Sequence, residues 1–182
     1  GKVCTRTINK IMDLSKLEKI FGERFSTSEA IRLQHSHDES WHVPKSIPDA
    51  VVFPQSSDEV SIILNFANER KIPVIPFGAG TSLEGQVHAL KGGITINSLH
   101  MNKIKEVNLE DMDCKVQPGV TREDLNFFLR DTGLFFPIDP GANASIGGMC
   151  STGASGTNTV KYGTIRQQVM GLKVVMPNGE II

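Results

Sequence analysis

At 182 residues, with 39% hydrophobic and 21% charged side chains, the chain has ordinary globular usage and enough length for one domain with its own core. That excludes a charge-rich disordered segment. Nineteen basic residues against twenty acidic ones leave a net charge of -1, so no positive field gathers nucleic acid or an acidic membrane.

Cys4, Cys114 and Cys150 are odd in number and widely spaced, which argues against a disulfide framework or a zinc site and fits a reducing compartment. No apolar run reaches the length of a transmembrane span, and Gly1 to Lys10 lacks the apolar stretch of a secretory signal. Leu14, Leu17, Ile20 and Phe21 fall at helical spacing behind Asp13, a candidate cap. Ser26 to Pro48 is polar, carries His35, His37, Trp41 and His42, and reads as an irregular lead-in. Ala50 to Phe53 is a short strand, and Ser56 with Glu59 forms a capping-box pattern. In the helix that follows, Val60, Ile63, Leu64 and Ala67 face inward while Asp58, Asn65 and Glu69 face water.

Ile72 to Pro76 predicts a strand whose prolines place it at a sheet edge or an ending, running into a glycine-rich loop from Phe77 to Gly85. Further strands are predicted at Ile94 to Asn97, Lys105 to Leu109 and Asp113 to Gln117. Thr121 and Asp124 then start a helix with Leu125, Phe128 and Leu129 on its buried stripe and Gly133 at its end. Asp139 to Thr159 is a second loop of small residues without a basic side chain. Val169 to Met176, a Pro177-Asn178-Gly179 turn and Glu180-Ile181-Ile182 make a hairpin whose last strand is too short for an ordinary ladder, so the fold is expected to continue beyond it.

A row of backbone N–H groups holds a diphosphate without cations when the backbone approaches closely and accepts positive φ, and glycine permits both. Gly78-Ala79-Gly80-Thr81-Ser82 meets this directly after a strand, with no lysine or arginine from Pro76 to Leu90. Alone, it reads equally as a tight connecting turn. The second loop, Asp139-Pro140-Gly141-Ala142-Asn143-Ala144-Ser145 followed by Ile146-Gly147-Gly148, adds a second donor-rich surface, and Ile146, Met149 and Cys150 argue that it is folded into the domain. A P-loop is excluded because the Gly-Lys-Ser/Thr ending is missing, and the dinucleotide fingerprint because Leu83 replaces its third glycine. Two such loops point to a long nucleotide.

Pro76-Phe77-Gly78-Ala79-Gly80-Thr81-Ser82, Asp139-Pro140-Gly141, Ile146-Gly147-Gly148 and Thr152-Gly153-Ala154-Ser155-Gly156, in this order and separation, resemble the vanillyl-alcohol oxidase and p-cresol methylhydroxylase flavoprotein family. His37-Asp38-Glu39-Ser40, Pro118-Gly119-Val120-Thr121-Arg122 and Lys161-Tyr162-Gly163-Thr164 are similar to its mitochondrial D-lactate dehydrogenase branch. The resemblance runs from about Ser36 to the C-terminus, and the first thirty or so residues match nothing named. It implies an α+β fold, the FAD-binding type-2 (p-cresol methylhydroxylase-like) domain of two α+β subdomains, C-terminally truncated. Residues 1–48 would be an N-terminal helix and lead-in, and residues 49–182 the first subdomain with the beginning of the second.

By the same resemblance, Pro76, Phe77, Gly78, Ala79, Gly80, Thr81 and Ser82 cradle the FAD pyrophosphate. Asp139, Pro140, Gly141, Ala142, Asn143, Ala144, Ser145, Gly147, Gly148, Thr152, Gly153, Ala154 and Ser155 lie along the cofactor. Some relatives attach FAD through a histidine in the first loop; none stands there and His88 falls beyond it, so noncovalent FAD is expected. The family implies oxidation of a D-2-hydroxy acid such as D-lactate, electrons leaving to an acceptor such as cytochrome c or a quinone, and a mitochondrial location. Catalytic residues and any divalent metal are expected outside this stretch. Glycolate and 2-hydroxyglutarate remain alternative substrates, and a noncatalytic nucleotide-binding module remains an alternative of another class. His35, His37 and His42 read as surface or hydrogen-bonding histidines, Trp41 as a packing anchor and Tyr162 as a structural tyrosine.

Overall fold

The computed structural model describes residues 12–44 and 46–182. The expectations for Gly1 to Lys10 and for Cys4 fall outside these residues. Helix α1 (Ser15–Phe21) buries Leu17 and Phe21, and the Asp13 carboxylate accepts the Ser15 N–H at 3.1 Å just ahead of it. The lead-in is more regular than its polarity predicts: it holds strand β1 (Phe25–Ser26) and helix α2 (Glu29–Gln34). Helix α2 buries none of its own side chains, so no apolar stripe marks it in the sequence.

Strand β2 (Ala50–Val52) leads into α3 (Ser57–Arg70), then β3 (Val74–Phe77) and β4 (Ile94–Asn97). Ser56 caps α3 by accepting the Glu59 N–H at 3.2 Å, but Glu59 reaches away to the Gln55 N–H and to Arg24, so only half of the capping box forms. The α3 stripe packs inward as expected, with Phe66 added to it.

The sheet runs in the order β1-β2-β4-β3, with β1 antiparallel to β2 and the other pairs parallel. Strand β4 suits the interior of the sheet: three of its four residues are β-branched, none is proline, and all four are buried. Strand β3 takes the edge, where the proline at 76 withholds no needed donor. Alternation along the strands divides the sheet. Ala50, Val52, Ile94 and Ile96 join Leu17, Phe21, Ile63 and Phe66 in one core, so the opposite face carries Val51, Ile75, Phe77, Thr95 and Asn97.

The hairpin β5 (Ile104–Asn108) and β6 (Asp113–Val116) follows, turning at Met112 with φ 55°. Helix α4 (Arg122–Leu129) has the full Thr121/Asp124 capping box and buries Leu125 and Leu129 against Val120 and the hairpin. Phe128, placed on the buried stripe by its spacing, is instead 55% exposed; it lies to one side of the Leu125–Leu129 line that the hairpin covers.

The second loop is not irregular throughout. It contains α5 (Ile146–Thr152), capped by Ser145 and closed by Gly153 in the left-handed region at φ 65°. Two glycines at its start hide this helix from any propensity argument. Short helices α6 (Thr159–Tyr162) and α7 (Ile165–Gln168) precede the C-terminal hairpin, where Val174 and Ile182 exchange both backbone hydrogen bonds. Ile138, Ala144, Met149 and Ile165 form the core of this half, and Phe136 and Ile146 join it to the α4 core.

Candidate cofactor site

The first loop leaves the edge strand β3 at Phe77 and is held at three places. Ser98, just past the end of β4, donates its hydroxyl to the Phe77 carbonyl at 3.3 Å. The Phe77 ring lies under Gly80, whose φ of +73° and lack of a Cβ are both required: an added Cβ would stand 2.9 Å from that ring. Farther on, Asp38 accepts the Ser82 hydroxyl at 2.6 Å and the Gly85 N–H at 2.9 Å, and the Glu39 N–H donates to the Ser82 carbonyl at 3.0 Å. Between these anchors, among the described residues, the N–H groups of Ala79, Gly80, Thr81 and Ser82 meet no protein acceptor. Such a row suits an oxyanion.

The second loop comes to the first through a seam of close backbone contacts. Gly119 donates to the Met101 carbonyl at 2.8 Å, and its Cα packs on the carbonyls of Ser98 and Met101, where no side chain fits. Gly147 donates to the Pro118 carbonyl at 2.9 Å and packs on that proline, while the Ile146 N–H donates to Val120 at 2.8 Å. This delivers the start of α5 to the first loop: a Cβ on Gly78 would stand 2.5 Å from Ser145 Oγ and 3.9 Å from the Gly148 Cα. The two predicted loops therefore touch.

The other predicted residues spread outward from that contact. Pro76 is exposed on β3, whereas Ala144 and Ser145 are buried. Asp139 accepts the Gly141 N–H at 3.1 Å and lies 3.7 Å from Arg122, and Asn143 accepts the Glu123 N–H at 3.1 Å, so both side chains are turned onto their own surroundings. Pro140, Gly141 and Asn143 are exposed, with Ala142 half-buried between them. Thr152, Gly153, Ala154 and Ser155 sit at the far end of α5, about 10 Å from Ser145 at the helical rise of 1.5 Å per residue.

Beyond the predicted residues, a cleft of about 390 Å³ opens beside Ala79 and Gly80, lined among others by His35, Asp38, Phe53, Phe77 and Asn97. Its floor is a closed hydrogen-bond chain. The Leu99 N–H donates to Asn97 Oδ1 at 2.8 Å, which turns Asn97 Nδ2 toward His35 Nε2 at 2.7 Å and leaves His35 Nδ1–H to donate to the Ile31 carbonyl at 2.7 Å. His35, read as a hydrogen-bonding histidine, is one, but it is buried and its ring supports Phe77 at 4.6 Å. Burial acts to raise the Asp38 carboxyl, yet the hydrogen bonds from Ser40, Ser82 and Gly85 outweigh it and bring the group down to about 2. The crowding of polar residues from His35 to Ser40 was the available signal for this wall.

Trp41, expected as a packing anchor, is instead 86% exposed and stacks on the His42 ring at 4.2 Å, because the segment around it runs over the surface. Tyr162 is half-buried and meets Phe135 edge-on at 5.4 Å. Cys114 and Cys150 are free, and burial pushes both thiols up. Among the described residues no cluster of three metal-ligating side chains occurs, and no helix is long and apolar enough to cross a membrane.

Two touching loops of unpaired or backbone-packed amides, neither carrying a basic side chain of its own, is the arrangement that the family resemblance implies, and comparison with known proteins decides the family. The family described as an FAD binding domain matches residues 48–182. The chain belongs to that family. This FAD-binding domain, of the vanillyl-alcohol oxidase and p-cresol methylhydroxylase type, is 50% identical over 170 residues to a probable mitochondrial D-lactate dehydrogenase of Danio rerio, covering 93% of this chain and 34% of the relative. It is 40% identical over 162 residues to the glycolate oxidase subunit GlcD of Bacillus subtilis, covering 88% and 34%. Its fold matches that of a solved alkyldihydroxyacetonephosphate synthase with a TM-score of 0.83 at 24% identity, covering 91% of this chain and 36% of that one. The FAD-binding domain thus spans about a third of the length of the curated relatives it matches.

Proposed function

We propose that this domain binds FAD noncovalently within a dehydrogenase that oxidises D-lactate or a related D-2-hydroxy acid to the 2-oxo acid. The observation that carries the reading is the contact of Gly78 with Ser145 and Gly148 beside the unpaired N–H groups of Ala79 to Ser82. Those groups, with the Thr81 hydroxyl, would hold the diphosphate. The start of α5 at Ser145, Gly147 and Gly148 would form the adjoining wall, and Asp139 to Ala144 and Thr152 to Ser155 would line the cofactor farther out. Residues 49–182 would make up the cofactor-binding part, with residues 1–48 as its lead-in.

When bound, FAD would supply the redox chemistry, with flavin N5 as the hydride acceptor; the residues of this chain would contribute position and a neutral hydrogen-bonding environment. Noncovalent attachment is supported by the loop's lack of histidine and by His88, whose side chain is only 8% exposed and lies 3.7 Å from Asp38. Resemblance to the mitochondrial enzyme favours D-lactate, a mitochondrial setting and an acceptor such as cytochrome c or a quinone. The bacterial relative's name favours glycolate as the second reading.

Titration with FAD, ATP and NAD, followed by flavin absorbance or by competition, tests the cofactor assignment. FAD is expected to bind in preference to the other two, and Gly80→Asp to abolish binding by placing a carboxylate against the diphosphate. Equal affinity for ATP, or FAD binding unaltered in Gly80→Asp, would turn the reading toward a general nucleotide module.

A further inference from the structure

We infer that Asp38 is the positioning residue that shapes the first loop for a diphosphate, and that the Ser82 hydroxyl acts through Asp38 and not on the ligand. The inference rests on the FAD reading. Asp38 stands 44 residues before Ser82, yet its side chain is fully buried against the loop. One carboxylate oxygen takes the Ser82 hydroxyl at 2.6 Å and the Gly85 N–H at 2.9 Å; the other takes the Ser40 N–H at 3.0 Å. The neighbouring Glu39 N–H then holds the Ser82 carbonyl at 3.0 Å.

A serine hydroxyl has one proton to donate. That of Ser82 is committed to Asp38, so none remains for a phosphate oxygen. Nor would a carboxylate be placed beside an anion site for its charge, which is repulsive there. Three donors converge on the two oxygens, and no neutral side chain of that size accepts all three: asparagine would set an NH2 group against one of them. The geometry fixes both ends of the Ser82 to Gly85 turn, and with it the direction of the N–H groups from Ala79 to Ser82. His88, the titratable neighbour, brings its Nε2 to 3.7 Å from Asp38, that atom has no hydrogen-bond partner among the described residues, and it does not substitute for these contacts.

Two measurements on the chain test this. The first is FAD affinity by quenching of flavin fluorescence in Ser82→Ala, Ser82→Thr, Asp38→Asn and the double variant Asp38→Asn/Ser82→Ala. Each single loss should weaken FAD about tenfold or more, as expected for a hydrogen bond to a charged group. Ser82→Thr should restore the parent affinity, and the double variant should be no weaker than Asp38→Asn. Additive losses would place the hydroxyl on the phosphate and overturn the inference. The second needs no ligand and no change at Asp38: amide hydrogen exchange of the FAD-free Ser82→Ala variant. Faster exchange at Gly85 and in the preceding loop supports positioning, while exchange identical to the parent overturns it. Failure of the parent protein to bind FAD would sink the cofactor reading on its own, and the exchange result would still decide what Asp38 does to the loop.

Discussion

The two small-residue loops are alike in composition and opposite in construction. In the first, the N–H groups from Ala79 to Ser82 are left without protein acceptors, and the shape is imposed from outside by Ser98, Phe77 and Asp38. In the second, the N–H groups of Gly147 and Gly148 are already satisfied by the Pro118 carbonyl and Ser145 Oγ, and the loop closes into a helix. One loop presents donors and the other presents a wall. Glycine serves two distinct purposes accordingly: at Gly80 it supplies a positive φ, while at Gly119 and Gly147 it lets one stretch of backbone lie directly on another.

The seam between the loops is the place where the comparison breaks most easily. In Gly119→Ala the new Cβ would meet the carbonyl oxygens of Ser98 and Met101, and neither is the end of a flexible side chain. Overpacking against fixed backbone should cost about 3 kcal/mol, seen as a lower urea midpoint. Because Pro118 also carries Gly147, FAD affinity should fall with it. A variant as stable as its parent would show that the loops are not held together through this seam.

A smaller effect separates the loops by pH, since the clamp on the first is titratable. The Asp38 carboxyl is held at about 2 in the folded protein, below its ordinary value of 3.8. A depressed folded-state pKa stabilises above the unfolded value and loses that contribution as pH falls toward the folded one. Asp38 should therefore contribute about 2 kcal/mol above roughly pH 5, fading between pH 4 and 2. Urea unfolding of the parent and of Asp38→Asn at pH 6, 4 and 3 measures it: the stability gap should narrow on acidification. A gap independent of pH would mean that the carboxylate charge is not what the clamp uses.

Much of this contrast was legible in the sequence, for identifiable reasons. The edge position of β3 was one of the two that its prolines allowed, the strand at Ile94 to Asn97 was marked by its β-branched residues, and the start of α4 by Thr121 and Asp124. Both glycine loops announced themselves by composition. Hidden were the features made by contacts distant in sequence. Helix α2 has no buried stripe, α5 carries two glycines in its first turn, and Phe128 is exposed because the partner surface stops at Leu125 and Leu129. Asp38 could not be assigned to the first loop because a carboxylate's partners, 44 and 47 residues away, leave no local pattern.

The smallest expected effect is the one that separates the two loops best. Gly80 and Gly153 both sit in the left-handed region, at φ +73° and +65°, so alanine at either should strain the backbone by about 1 kcal/mol. Their surroundings differ. Nothing lies within 4 Å of a Cβ at Gly153, whereas at Gly80 it would press on Phe77, whose ring rests on His35 and whose carbonyl is held by Ser98. The strain at Gly153 relaxes into solvent at the C-terminal end of α5. At Gly80 it is passed to the segment that aims the unpaired N–H groups. Thermal melts should then show Gly80→Ala lowered somewhat further than Gly153→Ala, by the crowding of Phe77, and FAD titration should show Gly80→Ala weakened about tenfold more than Gly153→Ala. Equal losses of affinity would mean that the wall contributes to binding as directly as the donors do, and the division of labour between the loops would have to be redrawn.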